Sequence, residues 1–343
     1  MSEQVALFLG RFAPFHNGHL YVLKRAMQKY DHVIMGVCGY NRSCDPKTPF
    51  SPYDRIWMIQ NAIEGNFKVS YIYVNDYPDS DHEWATEIIK SLEFKMPKAK
   101  VTIIGAPKDT DTDYYLNYLS EVTGWPLDLI PYTTVNILPS STLVRELLFH
   151  GSLKGEYVTD PFAFISYLVP PSTLKFLHSY INTSEYKLIV NWIEQNRALR
   201  SFQRAGEPIF VTTDAILRNI DRQILIIKRG GATGHGLWAL PGGFAEPDLT
   251  LVENMRKELR EEVGVDLKNQ NPIHSWVEDK VDRSTRGRTI THVFVWEVGA
   301  PNVFRSNEAL EFRWVSFKNF PKAQEWFEDH YFLAQKGLIY DNK

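Results

Sequence analysis

The sequence predicts an α/β chain of two domains, with a doubly wound parallel sheet in the N-terminal half and a mixed sheet with few helices in the C-terminal half. Three observations carry this. At ~150 residues per domain, 343 residues suffice for two. Residues 5–9, 33–37, 69–74 and 101–104 are short β-branched apolar runs, each followed by an amphipathic stretch, at 20–30, 53–63, 84–94 and 114–122. That rhythm belongs to parallel strands covered on both faces, where ligands collect between strand ends and helix starts. After Pro208 the rhythm changes: 209–217 and 223–228 read as hairpin strands, 249–263 as one strong helix, 289–298 and 312–316 as strands, and 323–336 as a last helix.

Between the halves, Pro161, Pro170 and Pro171 interrupt the pattern, and 173–200 reads as mainly helical. The expected division is a first domain at 1–156, a helical connector at 157–204 and a second domain at 205–343. A further helix, 141–149, follows the Pro139-Ser140 break.

Composition narrows the function classes. Apolar residues make up 44% and charged residues 23%, which excludes a disordered, collagenous or coiled-coil chain. The 38 Lys and Arg against 41 Asp and Glu leave a net charge of −3, so a general nucleic-acid-binding surface is not expected. Cys38 and Cys44 are too few for a disulfide framework or a four-thiolate zinc site. No apolar run approaches the ~20 residues needed to cross a bilayer. Met1-Ser2-Glu3-Gln4 lacks the features of a signal peptide, so the expected location is the cytoplasm, with no membrane partner.

The first chemical constellation is Gly10-Arg11-Phe12-Ala13-Pro14-Phe15-His16-Asn17-Gly18-His19, directly after the first strand and before a helix. Two imidazoles three residues apart point the same way from a first helical turn. The helix start offers N–H groups and partial positive charge for a phosphate, and Arg11 adds a cation. Chemistry here would come from positioning and charge stabilisation of a phosphoryl group. Ser140-Ser141-Thr142-Leu143-Val144-Arg145 opens another helix with hydroxyls at the cap and an arginine one turn inside, a second anion-binding pattern.

On these two strings the N-terminal half, residues 4–150, resembles the HxGH nucleotidylyltransferase superfamily, whose fold is Rossmann-like. Gly10-Arg11-Phe12 and Pro14-Phe15-His16 are most similar to the archaeal-type nicotinamide-nucleotide adenylyltransferases. The resemblance implies that ATP and NMN give NAD and pyrophosphate, with nicotinate mononucleotide as the alternative acceptor. His16 and His19 would bind the ATP phosphates, and Arg11 and Arg145 would neutralise the triphosphate with Mg²⁺. Gly10, Phe12, Gly18, Ser140, Ser141 and Thr142 complete the expected substrate contacts. Trp84, after the acidic loop 76–83, is a candidate for stacking on nicotinamide, with a core position as the equal alternative. Gly105, ending a strand, could let adenine approach the main chain.

The second constellation runs from Gly242 to Val265. Glu258, Glu261 and Glu262 share one helix face, where like charges cost ~0.2–0.5 kcal/mol per pair unless something compensates. A hard divalent cation would supply compensation, and Lys257 and Arg260 could do so in part. With Leu240-Pro241-Gly242-Gly243 before the helix and Gly264 after it, the segment resembles the Nudix box, which implies an α/β/α domain. Leu249 stands where that family has glutamate and Lys257 where it has arginine.

The resemblance implies metal binding at Gly242, Glu258, Glu261 and Glu262, by Mg²⁺ with Mn²⁺ as the alternative. Asp282 to Arg288 is similar to the arginine-rich loop of ADP-ribose-directed Nudix proteins, with Arg283, Arg286 and Arg288 gripping the diphosphate. Glu308 is the candidate general base, with Glu311 competing. Both boxes together resemble the bifunctional NMN adenylyltransferase–Nudix proteins, which implies hydrolysis of ADP-ribose to AMP and ribose 5-phosphate. Leu249 and Lys257 keep open a C-terminal half that only binds ADP-ribose or NAD. Oligomeric state stays open, a homo-oligomer included.

Overall fold

The computed structural model describes residues 3–66, 68–77, 80–106, 110–131, 139–153, 156–201, 209–299, 303 and 309–339, with the side chains of 110–113 and 198–201 left aside. The chain divides into two compact units, Met1–Tyr186 and Lys187–Lys343.

In the first unit the elements run β1 (Gln4–Gly10), α1 (Asn17–Lys29), β2 (His32–Cys38), α2 (Pro52–Ala62), β3 (Val69–Val74), α3 (Asp81–Lys95), β4 (Lys100–Gly105), α4 (Thr110–Thr123), β5 (Leu127–Leu129) and α5 (Ser141–His150). A two-residue hairpin follows, β6 (Ser152–Leu153) with β7 (Glu156–Tyr157), then α6 (Pro161–Leu168), α7 (Pro171–Tyr180) and the start of α8 (Ser184–Ser201). The five-stranded sheet has the order β3-β2-β1-β4-β5, parallel throughout. Side chains alternate between its faces. Ala6 and Phe8 join a core with Val22, Leu23 and Met58, whereas Val5 and Leu7 join a core with Ile88, Leu92 and Leu119. Burial of both faces explains why these strands read as continuous apolar runs. The order places β1 in the centre, and the chain leaves it toward β2 before returning to β4 on the other side. The crevice at the end of β1 is therefore the switch point where such sheets bind ligands.

The segment read from sequence as a connector is more than that. Ile165, Leu168, Leu177 and Tyr180 are buried in the same core as Val22 and Met58, so α6 and α7 complete the first unit. The prolines that interrupt the pattern start helices instead: Pro161 and Pro171 occupy first-turn positions, where a missing N–H costs nothing. The division into units falls inside α8, after Tyr186.

The second unit contains β8 (Phe210–Arg218), β9 (Ile224–Arg229), β10 (Trp238–Ala239), β11 (Gly242–Phe244), α9 (Leu251–Glu262), β12 (His274–Glu278), β13 (Thr289–Glu297), β14 (Ala309–Val315), a short turn Ala323–Glu325 and α10 (His330–Ile339). Its sheet is mixed. β8 pairs parallel with β13 and antiparallel with β11, and β9 pairs antiparallel with β14 and β10. The expected hairpin of β8 and β9 is reduced to one register pair, Arg218↔Ile224, after which each strand takes other neighbours. Successive β8 side chains reach opposite faces: Thr213 bonds Asn254 of α9, while Ile216 packs at Gly337 of α10. The layers are thus α9, sheet, α10. Among the described residues no helix is long and apolar enough to cross a membrane.

Two measurements follow from this packing. Tyr180 Oη donates to Pro49 O (2.9 Å) in a buried setting. Tyr180→Phe should lower unfolding free energy by about 1–3 kcal/mol, read by urea denaturation, because the carbonyl loses its partner. His330 is buried, its Nδ1 accepts from Leu240 N (3.1 Å), and burial pushes its pKa down to about 4. Below about 6.5 the unfolded chain takes up a proton at this position that the folded chain refuses, so the contribution of His330 to stability falls with pH down to about 4. Between pH 7 and pH 5 His330 alone should cost about 2 kcal/mol, offset in part by Asp329, whose carboxyl burial raises to about 6. The unaltered chain and His330→Gln should therefore differ in their pH dependence of urea denaturation by about the His330 amount.

Candidate functional site

β1 releases the chain at Gly10 into the turn that starts α1. Phe12 sits in this turn at φ +51°, a left-handed conformation that bulky residues rarely adopt. Its ring is 2% exposed and packs edge-on to Phe8 (5.3 Å). A Cβ on Gly10 would lie 2.9 Å from that ring. Packing of the turn thus accounts for both residues, which sequence reading placed among substrate contacts.

His16 occupies the N-cap of α1. Its Nδ1 accepts from Gly18 N (3.1 Å) and His19 N (3.4 Å), while His19 Nδ1 accepts from His16 N (3.3 Å). The two imidazoles close a reciprocal cap of the kind usually made by a hydroxyl and a carboxylate. Their rings stack at 3.5 Å, and Phe15 backs His19 at 5.5 Å. A ring nitrogen that accepts an N–H carries no proton, so in each neutral imidazole the proton lies on Nε2. Each ring is therefore an Nε2–H donor held in place by main chain. A Cβ on Gly18 would press on the His16 ring at 3.0 Å, which explains the glycine. The expected anion site of free N–H groups is modified: Gly18 N and His19 N are engaged, and the imidazoles hold the donors. His16 is 4% exposed and His19 is half-buried.

The second string docks on the first, 125 or more residues away in sequence (the first of its bonds spans 127 residues). Ser141 Oγ donates to Pro14 O (3.0 Å) and Arg145 Nη1 to Ala13 O (2.6 Å), while Arg145 Nη2 reaches Thr142 Oγ1 (3.3 Å). Ser140 caps α5 by accepting from Leu143 N (3.1 Å). Burial lowers the Arg145 pKa to about 10, which leaves it charged at neutral pH. Arg11 is largely exposed and pairs with Asp76 (3.2 Å), which also holds Arg42 (3.2 Å).

Sequence reading missed Arg55. It is 1% exposed, and its Nη1 donates to Arg11 O (2.8 Å) and Cys38 O (2.7 Å), tying the end of β1 to the end of β2. The signal was present: Arg55 shares the buried stripe of α2 with Pro52, Ile56 and Ile59. Trp84 is 9% exposed, in the core with Ile88 and beside the Tyr115 ring (5.5 Å), so packing explains it without a ligand. At Gly105 a Cβ would meet Leu116 at 2.8 Å, which makes helix packing the reason for that glycine.

In the second unit, Glu262 is buried and its Oε2 accepts from Gly242 N (2.9 Å). A Cβ on Gly242 would fall 2.1 Å from Thr213 O, and one on Gly243 2.4 Å from Glu258 Oε1. The two glycines let α9 bring its carboxylates against β11. Glu261 is turned to the flank, 3.6 Å from Lys257, which also bonds Glu246. At about 100° per residue, Glu258 and Glu262 lie only ~40° apart, whereas Glu261 and Glu262 lie ~100° apart. Hence the expected face of three converging carboxylates is not assembled, and among the described residues no three His, Cys, Asp or Glu side chains gather as a metal site. In kind the donors fit a hard divalent cation: all are carboxylate oxygens, beside a cradle that a Cβ would fill.

The arginine loop divides by role. Arg283 is buried and grips Asp329 with Nε and Nη2, both at 2.8 Å, so it is a structural pair and not a substrate grip. Arg286 bonds Ser284 Oγ (3.1 Å) and lies over the Phe244 ring (5.2 Å). Arg288 donates to Asp279 O. Glu308 lies outside the described residues, and Glu311 pairs with Arg313 (2.9 Å) and Lys228 (3.7 Å).

Comparison with known proteins finds relatives of each half. Residues 7–147 match the cytidylyltransferase-like family and residues 208–335 the NUDIX domain family. A nicotinamide-nucleotide adenylyltransferase of Pyrobaculum aerophilum is 31% identical over 154 residues, covering 44% of this chain and 80% of that protein. An ADP-ribose pyrophosphatase of Methanocaldococcus jannaschii is 32% identical over 130 residues, covering 38% of this chain and 75% of that protein. The crystal structure of a bifunctional NMN adenylyltransferase/ADP ribose pyrophosphatase from Francisella tularensis superposes with a TM-score of 0.80 at 27% identity, covering 97% of this chain and 98% of that one. A second structure of a bifunctional protein from that organism, complexed with AMP and a manganese ion, gives 0.79 at 27% identity, with the same coverage.

Proposed function

The chain belongs to the family that joins a nicotinamide-nucleotide adenylyltransferase to a Nudix ADP-ribose pyrophosphatase, and from that premise we propose how each half works. Residues 1–186 transfer the adenylyl group of ATP to NMN. An NMN phosphate oxygen attacks the α-phosphorus, the bond from that phosphorus to its bridging oxygen breaks, and pyrophosphate leaves as NAD forms. Residues 187–343 cleave ADP-ribose with water into AMP and ribose 5-phosphate.

One observation supports the first reading above the others: the reciprocal His16–His19 cap, with the Ser140 to Arg145 helix fastened onto its approach. Two imidazoles locked as Nε2–H donors suit the oxygens of a triphosphate, and they need no reorganisation as charge develops. Arg11 lies in the turn after β1 and Arg145 reaches that turn from α5, and the two balance the negative charge of the triphosphate. Arg55 acts through the main chain, by holding the Arg11 and Cys38 carbonyls.

In the second half Glu262 and Glu258 face β11, and Glu261 completes the acidic set after releasing Lys257. A divalent cation held by these three and the main chain at Gly242, Mg²⁺ in our reading and Mn²⁺ as the alternative, would polarise the diphosphate and lower the pKa of water when bound. Glu308 is our proposed base for that water, since Glu311 is engaged by Arg313 and Lys228. The pairing of Lys257 with Glu246 and Glu261 favours a competing reading in which this half only binds ADP-ribose.

His19→Ala should reduce pyrophosphate release from ATP and NMN by about 10²–10³-fold, the loss typical of one preorganised donor, with ADP-ribose hydrolysis intact. An unchanged transfer rate would sink the first reading. Glu262→Gln should abolish AMP formation from ADP-ribose while sparing adenylyl transfer. If the unaltered chain binds ADP-ribose in calorimetry yet yields no AMP with Mg²⁺ or Mn²⁺, the binding-only reading holds instead. Parallel rates with nicotinate mononucleotide fix the acceptor.

A further inference from the structure

Arg229 ends β9, just before a turn at Gly230 and Gly231. Its Nε donates to Thr233 O (2.9 Å), and its guanidinium lies 4.2 Å from the centre of the Phe327 ring. No other hydrogen bond or ion pair engages its two terminal nitrogens among the described residues. The same Phe327 ring carries a second guanidinium, that of Arg286, at 5.6 Å, and Arg286 also lies over Phe244.

That ring cannot drift. Phe327 is fully buried, with Trp192 against it at 5.6 Å. Its edge fills the space beside Gly234, where a Cβ would stand 2.3 Å from the ring and where φ is +67°. Two cations are thus fixed to one rigid aromatic, although like charges so placed repel. The carboxylate ion pairs go to the neighbouring arginines, and among the described residues none is made to Arg229. Glu328 accepts from Ser284 Oγ, Thr285 N and Thr285 Oγ1 and faces Arg286 at 3.7 Å, while Asp329 is taken by Arg283. Burial first, and Arg286 second, hold Arg229 below the usual arginine range, against the pull of Glu262, Glu328 and Asp214. Arg286, which shares the Phe327 ring with Arg229, also lies over Phe244, two residues after the Gly242 whose N–H holds Glu262.

From this arrangement we infer that Arg229 binds the diphosphate of the C-terminal site's ligand, working as a pair with Arg286. A diphosphate offers two adjacent anionic groups, and a guanidinium presents planar donors to each. The assignment rests on the reading of this half as a nucleoside-diphosphate site. It adds a residue from β9, far in sequence from both the acidic helix and the arginine loop.

The test uses the full chain, with ADP and AMP as probes in calorimetry and ADP-ribose as substrate. Arg229→Gln should weaken ADP by about 10-fold or more, the worth of a charge-assisted hydrogen bond, and AMP by less than about 3-fold. Arg229→Lys should recover part of the loss. KM for ADP-ribose should rise more than kcat falls, with Tm unchanged. ADP affinity within about twofold of the unaltered chain overturns the assignment, as does equal weakening of ADP and AMP together with a lower Tm, which marks a packing role. If the unaltered chain makes no AMP from ADP-ribose but Arg229→Gln still weakens ADP selectively, hydrolysis fails and Arg229 stands. Should ADP not bind the unaltered chain at millimolar concentration, both readings fall.

Discussion

Main-chain polar groups stranded where a strand ends must find partners, and both candidate sites are built from the side chains that satisfy them. At the end of β1 the N–H groups of His16, Gly18 and His19 go to two imidazoles. The carbonyls of Arg11, Ala13 and Pro14 go to Arg55, Arg145 and Ser141. In the second unit the N–H of Gly242 goes to Glu262. An unmade bond of this kind costs about 1–3 kcal/mol, so each of these side chains is also a stabilising one. At the end of β1 the main chain fixes the orientation of both imidazoles.

Close approach of main chain to side chain is the companion constraint. Gly18 yields to the His16 ring, Gly243 to Glu258, and Gly242 to the Thr213 carbonyl. Each glycine lets a charged or polar group come nearer than a Cβ would permit. Aromatic packing then limits the motion of the same groups. Phe12 and Phe15 flank His19, while Phe244 and Phe327 flank Arg286. In both units a polar functional group rests on a rigid apolar support.

The departures at Leu249 and Lys257 have a local resolution. Lys257 is held by Glu246, three positions before the leucine, and Glu246 N in turn donates to the buried Asn254 (3.0 Å). Asn254 also donates to Thr213 Oγ1 (3.0 Å) and Phe244 O (3.2 Å), which anchors the loop to the sheet.

Periodicity made the parallel sheet, its four main strands and its helices legible, because burial on two faces leaves a continuous apolar signal. Spacing likewise located the two histidines, the Ser140 to Arg145 helix start and the glycine-flanked acidic helix. What sequence could not supply was the partner of each charge. Arg283, Arg286 and Arg288 look equivalent in one loop, yet Asp329 buries the first and two phenylalanines cradle the second. Trp84 reads equally well as a ligand contact or as packing, and Gly105 reads as a place for adenine to approach, yet neighbours from α4 make packing sufficient for both. The helices after Pro161 and Pro171 became part of the first core through contacts with residues more than a hundred positions earlier, as when Tyr180 reaches Pro49. Local pattern thus determined which groups exist and what chemistry they favour. Tertiary structure decided which of them are satisfied internally, because an ion pair or a buried contact depends on distance in space and leaves no period in the chain.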